Sequence, residues 1–402
     1  MLTVTEALEK LLASVTPQEI TTEPLQNTLG LTLSKDIHSS TDSPPFDKSL
    51  MDGYAVRLAD LATGVAMLKV IEVITAGRVP TRPIGPGEAA QIMTGTPLPE
   101  GADLVIKIEE TERAGEDVSI KTKPPSAGAN MIRRGTSIRS GDCVLRAGLT
   151  LNASRIGALA EMGQTFVPVR QRPRVAILAT GDELVPLQQT PGPGQIRNSN
   201  EPMLAAQIES MGGIPVPLGI ARDDRDELRA KIQQGLESDM LVLSGGVSAG
   251  TLDLVPSVLA ESSVGEIFHK VEMKPGKPLW FGVKRHDLRS PCYVFGLPGN
   301  PVSSLVCCEL FVRTAIRRFM GVEPAIAPPQ LGRLEHEYST RADRPTYHPA
   351  RLTWTRDGLG ITLVPWHGSS DLCGTVAANG MAYFPGEARQ YCLGDSVEAF
   401  VW

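Results

Sequence analysis

Residues 239–253 of this 402-residue chain read DMLVLSGGVSAGTLD, and this stretch predicts the fold around it. The apolar run at 240–243 has the length of a fully buried strand. It ends in Ser244-Gly245-Gly246 and leads into the helix-like sequence TLDLVPSVLAES. A strand, a glycine-rich turn and a helix in succession leave unpaired backbone N–H groups that suit a phosphate. We therefore expect a ligand site here, with Asp253 just beyond the turn to hold a metal ion against that phosphate.

Strands and helices alternate on both sides of this stretch. The clearest linker is RQRP at 170–173, and the predicted strands RVAILAT (174–180) and IPVPLGI (214–220) follow it, each with a helix-like segment behind it. Such alternation is typical of a parallel sheet with helices on both faces. In these sheets ligands bind beyond the carboxyl ends of the strands.

The regions on either side of the α/β segment have a different sequence pattern. Between about residues 56 and 146, short β-like runs are separated by Gly and Pro, as in an all-β module. A proline-rich break at 323–330 precedes further short strands that predict a small β-barrel. The chain is long enough for about two to four domains.

Charge and composition exclude several classes of partner. The net charge is −6, and no Lys/Arg run is long enough to follow a nucleic-acid backbone. No apolar run approaches a membrane span, and the N-terminus predicts a helix with a Thr3/Glu6 capping box rather than a signal peptide. The six cysteines contain no C-x-x-C, which favours buried free thiols, and the six histidines lack metal-ligand spacing. We expect a cytoplasmic protein that binds neither nucleic acid nor membrane.

Polar or glycine residues follow each predicted strand of the α/β region. These segments are GDE (181–183), ARDD (221–224), SGGVSAGTLD (244–253), KPGKP (274–278) and GLPGNP (296–301). In a parallel sheet they would converge on one edge, with three lysines and three acids: Lys270, Lys274, Lys277, Glu183, Asp223 and Asp253. Lysines for phosphate and carboxylates for Mg²⁺ are the groups needed for chemistry on a phosphate ester or anhydride.

Each of these features has a simpler interpretation. Glu183 and Asp223 could be helix N-caps, and KPGKP could be a stiff turn between strands. Pro298 and Pro301 could only shape a turn, and Asp52-Gly53 is a common turn dipeptide. The sequence has no GxxxxGK[ST], no GxGxxG after a strand and no GxSxG, which removes P-loop NTPases, Rossmann dehydrogenases and the usual α/β-hydrolases.

Eight motifs together resemble the molybdopterin molybdenumtransferase family, which includes bacterial MoeA and the E-domain of gephyrin. In chain order they are MDGYAVR (51–57), IMTGTPLPEGAD (92–103), NMIRRG (130–135), TGDEL (180–184), RDD (222–224), SGGVSAGTLD, KPGKP and GLPGNPVS (296–303). The resemblance implies a multidomain α/β plus β fold. An N-terminal region (1–172) would consist of an elongated domain (1–45 and 147–172) with an inserted β module (46–146). A three-layer, molybdopterin-binding α/β domain with a mostly parallel sheet (173–322) and a small C-terminal β-barrel (323–402) would follow.

The resemblance also implies a reaction. Adenylylated molybdopterin and molybdate would react with Mg²⁺ present, so that molybdenum enters the dithiolene and AMP leaves on cleavage of the phosphoanhydride. The implied partners are these substrates, a second copy of the chain in a homodimer and the molybdopterin adenylyltransferase.

Site residues carry over by motif. Gly245, Gly246 and Ser248 would cradle the terminal phosphate, and Asp223 and Asp253 would lie at the metal and pyrophosphate. The remaining residues would bind anions, shape the cleft or take part in the chemistry: Lys270, Lys274, Lys277, Glu183, Pro298, Asn300, Pro301, Arg351, Ser369, Asp52 and Thr94. Asp52 and Thr94 come from the N-terminal region, which in the family's dimer can complete the partner chain's cleft.

One position departs from the family pattern. After Arg133-Arg134-Gly135 the family usually has an acid, where this chain has Ser137. The acid could be dispensable, Asp142 could replace it, or activity could be altered. Two alternatives therefore stay open: a scaffold of the same fold without the chemistry, and an enzyme sharing only the α/β domain, such as a molybdopterin adenylyltransferase or a nicotinamide-nucleotide amidohydrolase.

Overall fold

The computed structural model describes residues 1–62, 64–121, 126–247 and 254–402. The chain divides into two compact units. The first comprises Met1–Lys35, Ala147–Ile156 and Thr165–Trp402, and the second comprises Asp36–Arg146 and Gly157–Gln164. No helix in these ranges is long and apolar enough to cross a membrane.

The helices of the described part are α1 (Val4–Ser14), α2 (Ala153–Glu161), α3 (Asn200–Ser210), α4 (Arg225–Gly235), α5 (Val255–Glu261), α6 (Pro301–Cys307) and α7 (Arg313–Phe319), with a π-helical segment, Cys308–Val312, joining the last two. The first strands are β1 (Thr21–Pro24), β2 (Thr32–Leu33), β3 (Ile37–His38), β4 (Lys48–Ser49), β5 (Gly53–Val56), β6 (Val65–Ile74), β7 (Glu88–Ile92), β8 (Leu104–Lys107), β9 (Thr111–Ala114), β10 (Asp117–Lys121), β11 (Met131–Ile132) and β12 (Cys143–Leu145). They are followed by β13 (Phe166–Arg170), β14 (Arg174–Thr180), β15 (Leu184–Val185), β16 (Ile196–Arg197), β17 (Ile214–Ala221), β18 (Met240–Ser244), β19 (Val264–His269), β20 (Trp280–Lys284) and β21 (Cys292–Leu297). The last strands are β22 (Gln330–Leu334), β23 (Tyr338–Thr340), β24 (Thr346–Thr355), β25 (Gly358–Leu363), β26 (Gly380–Phe384), β27 (Arg389–Tyr391) and β28 (Ser396–Val401).

A six-stranded sheet of order β17-β14-β18-β21-β20-β19 forms the centre of the first unit. Strands β17, β14, β18 and β21 are parallel, as the sequence predicts. Strand β20 is antiparallel to both of its neighbours. Strand β19 therefore runs in the same direction as β21, and five of the six strands end at one edge.

Helices cover both faces of this sheet because its central strands are apolar on both sides. Val175 and Ile177 of β14 pack into a core shared with α1, α3 and α7, whereas Ala176 and Leu178 pack into a second core with α4 and α5. Helix α1 begins with the predicted capping box, in which the Thr3 hydroxyl accepts from the Glu6 amide and the Glu6 carboxylate accepts from the Thr3 amide. The α/β arrangement is confirmed.

A closed barrel of five strands, in the order β22-β25-β24-β26-β28, occupies the C-terminal part of the first unit. Its interior is filled by alternate residues of the strands, including Leu352, Ile361 and Phe384. The small β-barrel predicted for this region is present. The same unit also contains a three-stranded sheet of order β1-β13-β2.

The second unit is built on a six-stranded sheet of order β8-β5-β7-β6-β10-β9. Tyr54 and Val56 of β5 pack into one apolar cluster, and Ala55 packs into another, as the two-residue period of a strand requires. Two short ribbons, β11-β4 and β12-β3, complete the unit. An all-β module is therefore present here, while the predicted domain boundaries stay predictions.

Candidate functional site

Five loops emerge at the edge where β14, β17, β18, β19 and β21 end, and we call this edge the rim. The first contact between them is a hydrogen bond of 3.2 Å from the Gly181 amide, after β14, to the Ala221 carbonyl at the end of β17. Another joins the Gly245 amide, after β18, to the Leu297 carbonyl at the end of β21, at 3.1 Å. The loops after β14 and β17, and those after β18 and β21, are thus held side by side by their backbones.

The glycines after β18 allow three of these loops to approach closely. Gly245 has φ +100°, and a Cβ there would lie 2.6 Å from the Thr180 carbonyl oxygen and 2.9 Å from its Oγ1. Gly246 has φ +66°, and a Cβ there would lie 3.0 Å from the same Oγ1. A Cβ on Gly299 would lie 3.6 Å from the Gly245 Cα. Only glycine fits a backbone conformation and spacing of this kind, so the main chains of the three loops pack closely here, and we call the group Gly245, Gly246 and Gly299 the cradle.

Asn200, at the start of α3, holds this cradle together. Its Nδ2 donates to the Ser244 Oγ at 2.6 Å and to the Gly299 carbonyl at 2.8 Å. Within the described ranges, the buried Asn200 Oδ1 and Thr180 Oγ1 have no hydrogen-bond partner. Buried polar atoms are usually paired, so two such atoms at one edge mark a place for a polar ligand. Neither residue is among the site residues predicted from the sequence, although Thr180 directly precedes the polar GDE segment (181–183).

Carboxylates gather where the loops after β14 and β17 meet. The Asp223 amide donates to the Asp182 Oδ1 at 3.1 Å, and Arg222 Nη1 donates to the carbonyls of Asp182 and Leu184, each at 2.9 Å. Glu183 places its carboxylate beside Gly181, where a Cβ would meet the Glu183 Oε1 at 2.7 Å. Asp182 is a further acid of the rim that the sequence analysis passed over.

The alternative that Glu183 and Asp223 are helix N-caps is wrong. The cap of α4 is Asp224, which accepts from the amides of Asp226 and Glu227. Glu183 precedes the short strand β15 and not a helix. The exposed carboxylates of Glu183 and Asp223 are therefore not used to begin a helix.

This donor set suits Mg²⁺. Asp182, Glu183 and Asp223 offer only carboxylate oxygen, the ligand type that Mg²⁺ prefers, and no nitrogen or sulfur ligand accompanies them in these two loops. The second predicted ligand, Asp253, and the predicted phosphate-binding Ser248 lie outside the described residues.

The lysine-bearing loop after β19 is attached to the barrel. The Lys274 amide donates to the Pro345 carbonyl at 2.8 Å, and its carbonyl accepts from the Tyr347 amide at 2.7 Å. The Lys274 Nζ lies 3.6 Å from the Asp343 Oδ2, so one of the three predicted lysines already has a carboxylate partner. Lys270 has φ +69°, and Lys277 is exposed.

The loop after β21 is also attached to the C-terminal region. Asn300 Nδ2 donates to the Ser369 Oγ at 2.9 Å, so Ser369 contacts the loop after β21. Pro298 is buried, with its carbonyl accepting from the Ser304 hydroxyl, and Pro301 is the first residue of α6. Arg351 is exposed on β24, and its side chain makes no hydrogen bond to any described residue of the rim.

Asp52 and Thr94 meet in the second unit. The Asp52 Oδ1 accepts from both the amide and the hydroxyl of Thr94, each at 2.7 Å. These bonds favour the charged carboxylate and lower the pKa of Asp52, the amide contributing most. Both residues line a cavity of about 490 Å³. Its other lining residues are Met51, Lys107, Glu109 and Glu110.

A separate cavity of about 470 Å³ is lined by α1, α7 and the barrel and contains none of the predicted site residues.

Ser137, at the position of the family's acid, is exposed and donates its amide to the Ser43 carbonyl at 3.0 Å. Asp142 accepts from the Arg139 amide at 2.8 Å and so closes its own turn. That contact argues against Asp142 as a replacement for the missing acid.

Two protein families match successive segments of this chain. The family described as "MoeA N-terminal region (domain I and II)" matches residues 2–163, and the one described as "Probable molybdopterin binding domain" matches residues 176–318. The chain is 32% identical to a molybdopterin molybdenumtransferase of Staphylococcus aureus (strain Mu50 / ATCC 700699), over 98% of this chain and 94% of that one.

Solved structures give the same result. A molybdopterin biosynthesis MoeA protein from Pyrococcus horikosii has a TM-score of 0.80 and 32% identity, covering 100% of this chain and 99% of that one. A second, from Pyrococcus horikoshii OT3, has a TM-score of 0.85 and 27% identity, covering 100% of both chains. From its sequence, its fold and its matched segments, the chain belongs to the molybdopterin molybdenumtransferase family.

Proposed function

We propose that this chain inserts molybdenum from molybdate into adenylylated molybdopterin and releases AMP. The observation that carries the proposal is the cradle formed by Gly245, Gly246 and Gly299 beside the Thr180 hydroxyl, which has no hydrogen-bond partner among the described residues. Backbone N–H groups in a glycine-rich turn that follows a strand can donate to a phosphate. The S. aureus relative is named for the same reaction.

Both substrates are anions, so the rim has to supply positive charge although the chain has a net charge of −6. In the proposal, main-chain groups of the cradle bind the terminal phosphate, as do Ser248 and the side chain of Asn300. Lys270 and Lys277 bind the pyrophosphate or the molybdate dianion. Lys274 contributes less because Asp343 already offsets its charge. Ser369 positions Asn300 through their hydrogen bond, and Arg351 binds an oxyanion through its guanidinium.

Asp223, with Asp253 and Glu183, would hold Mg²⁺ at this edge. When bound, Mg²⁺ supplies charge neutralisation for a phosphoryl group and its leaving oxygen. The Arg222 side chain bridges the Asp182–Leu184 segment and keeps the two carboxylate loops in register. Asp52, whose pKa is lowered by its hydrogen bonds from Thr94, and Thr94 itself would complete the partner chain's cleft in the proposed homodimer.

Release of AMP from adenylylated molybdopterin, with Mg²⁺ present, tests the proposal. We expect the purified full-length chain to release AMP in a molybdate-dependent manner and to yield metal-bound cofactor. Tight binding of the nucleotide without release would instead support the scaffold alternative, and Ser137→Asp would then be the next variant. Absence of binding would contradict the proposal.

Asp223→Asn isolates the role of the rim carboxylate. We expect turnover to fall by at least about 100-fold with folding intact. General acid–base catalysis or electrostatic stabilisation by a single group typically contributes a factor of that size to the rate. The matched control is Asp226→Asn, which removes an exposed carboxylate three residues along that pairs with Arg229 at 2.8 Å. Equal turnover in the two variants would exclude Asp223 from the chemistry.

Assembly and location complete the proposal. We propose a homodimer in the cytoplasm, with the molybdopterin adenylyltransferase as a partner that delivers the substrate. The six cysteines are free thiols, which fits a reducing compartment. Sedimentation equilibrium of the full-length chain tests the dimer, and a mass of 43.1 kDa would contradict it.

A further inference from the structure

Three side chains with different metal-binding atoms lie together in the second unit, whereas the rim belongs to the first. They are Asp36, His38 and Cys143, and one ligand atom from each lies within 4.8 Å of the other two. All three side chains are exposed. Sequence analysis expected buried cysteines and no metal-ligand role for any histidine; Cys143, Cys373 and Cys392 are instead exposed.

Strand pairing produces this cluster. His38 of β3 and Cys143 of β12 are directly opposite in an antiparallel ribbon, where facing side chains are about 5 Å apart at Cβ. Asp36 precedes His38 by two residues and shares its exposed side, since Ile37 between them is buried. The ribbon is fixed near the cluster by the bonds from the Ser39 amide to the Asp142 carbonyl and from the Gly141 amide to the Ser39 carbonyl.

A hydrogen bond to the backbone fixes one nitrogen of the His38 ring. Its Nδ1 lies 3.1 Å from the Gly141 carbonyl oxygen, which can only accept, so Nδ1 carries the proton. Nε2 then carries the lone pair. Metal-binding histidines commonly donate their second ring N–H to a carbonyl in this way, which fixes both tautomer and ring plane.

We propose that Asp36, His38 and Cys143 form a zinc-binding site with a water molecule as fourth ligand. Thiolate, imidazole and carboxylate together suit Zn²⁺, whereas Mg²⁺ and Ca²⁺ require oxygen ligands alone. Zinc ligands at about 2.0–2.3 Å from the metal lie about 3.5 Å from each other in a tetrahedron. The observed limit of 4.8 Å therefore requires only small side-chain rotations.

Charge and protons balance on binding. The Cys143 thiol loses its proton to solvent and its sulfur binds the metal as thiolate, giving up the weak 3.7 Å contact with the Leu145 carbonyl. One thiolate, one carboxylate and one neutral imidazole around Zn²⁺ leave no net charge. One proton is thus released for each zinc bound to the thiol form of the site.

Metal titration of the full-length chain tests the site. After reduction and chelation, the chain is titrated with Zn²⁺ against a chromophoric chelator and, separately, with Co²⁺. We expect one tight site per chain, release of one proton per zinc, and a thiolate-to-cobalt charge-transfer band with the visible spectrum of four-coordinate cobalt. A six-coordinate cobalt spectrum without that band would overturn the proposal, as would absence of tight zinc binding.

Variants attribute the site to the cluster. We expect Cys143→Ser to abolish the charge-transfer band, and His38→Gln and Asp36→Asn each to weaken zinc binding at least about tenfold. Cys392→Ser removes another exposed thiol and serves as the control that should bind zinc normally. Retention of the band in Cys143→Ser, or its loss in Cys392→Ser, would refute the assignment. None of these readouts depends on molybdenum insertion.

Discussion

Replacing Gly245 by alanine tests whether the cradle depends on the absence of a side chain. At φ +100° an L-residue is strained, which costs about 1–2 kcal/mol. The added Cβ would also lie 2.6 Å from the Thr180 carbonyl oxygen, a backbone atom that no rotamer change can move away. Overpacking of this kind adds about 1–3 kcal/mol. Gly245→Ala should therefore lose about 2–5 kcal/mol in its free energy of unfolding, and the end of β18 should move relative to β14.

The control is Gly194→Ala. Gly194 has φ +77°, but no atom lies within 4 Å of the position that an added Cβ would take, so alanine there should cost only the conformational part, about 1–2 kcal/mol. Urea unfolding followed by circular dichroism gives both free energies, and AMP release at saturating substrate gives turnover. Because the phosphate cradle itself shifts in Gly245→Ala, turnover should fall at least about tenfold in that variant alone. Equal stability and equal turnover in the two variants would refute the reasoning.

Three further changes test other contacts. Thr94→Ala removes the hydroxyl but keeps the amide that donates to Asp52, so the pKa of Asp52 should rise part of the way to its ordinary value. An NMR titration of the carboxylate measures this pKa, and an unchanged pKa would contradict the contact. Asn200→Ala removes two hydrogen bonds and should cost about 2 kcal/mol in urea unfolding, with lower turnover. Arg313→Ala removes the ion-pair partner of the buried Glu309 carboxylate, which keeps its hydrogen bond from Gln207, and should cost about 3 kcal/mol at neutral pH. Burial raises the pKa of Glu309, so the folded state binds the proton more tightly and the deficit should shrink as the pH falls towards about 4; a deficit independent of pH would contradict this.

The α/β core was predictable because it depends on local patterns. RVAILAT is apolar from its second to its sixth position and MLVLS over its first four, a pattern typical of strands buried on both faces, and both occupy the centre of the sheet. The convergence of the loops followed from strand direction, including the loop after β19, which returns to the rim because two successive reversals restore its direction.

Details that depend on one residue or on distant pairing were not predictable. Two adjacent aspartates follow β17, and only the geometry shows that Asp224 caps α4. Asn200 reaches the rim through a side-chain bond across 99 residues, and His38 faces Cys143 from a distant part of the sequence. Neither contact produces a periodic pattern in the sequence, because a polar residue that is exposed or caps a helix has the same local sequence whichever distant residue it contacts.

The barrel is fastened to the rim at two points, through the backbone of Lys274 and through the Asn300–Ser369 side-chain bond. Two separate attachments restrict rotation as well as translation, so the barrel acts as a brace for two of the five loops. Changes at Pro345, Tyr347 or Ser369 consequently disturb the rim, whereas the exposed β24–β25 turn is free to vary in length. A chimaera that exchanges the barrel between relatives would have to exchange the contacting residues on both sides of these two attachments together.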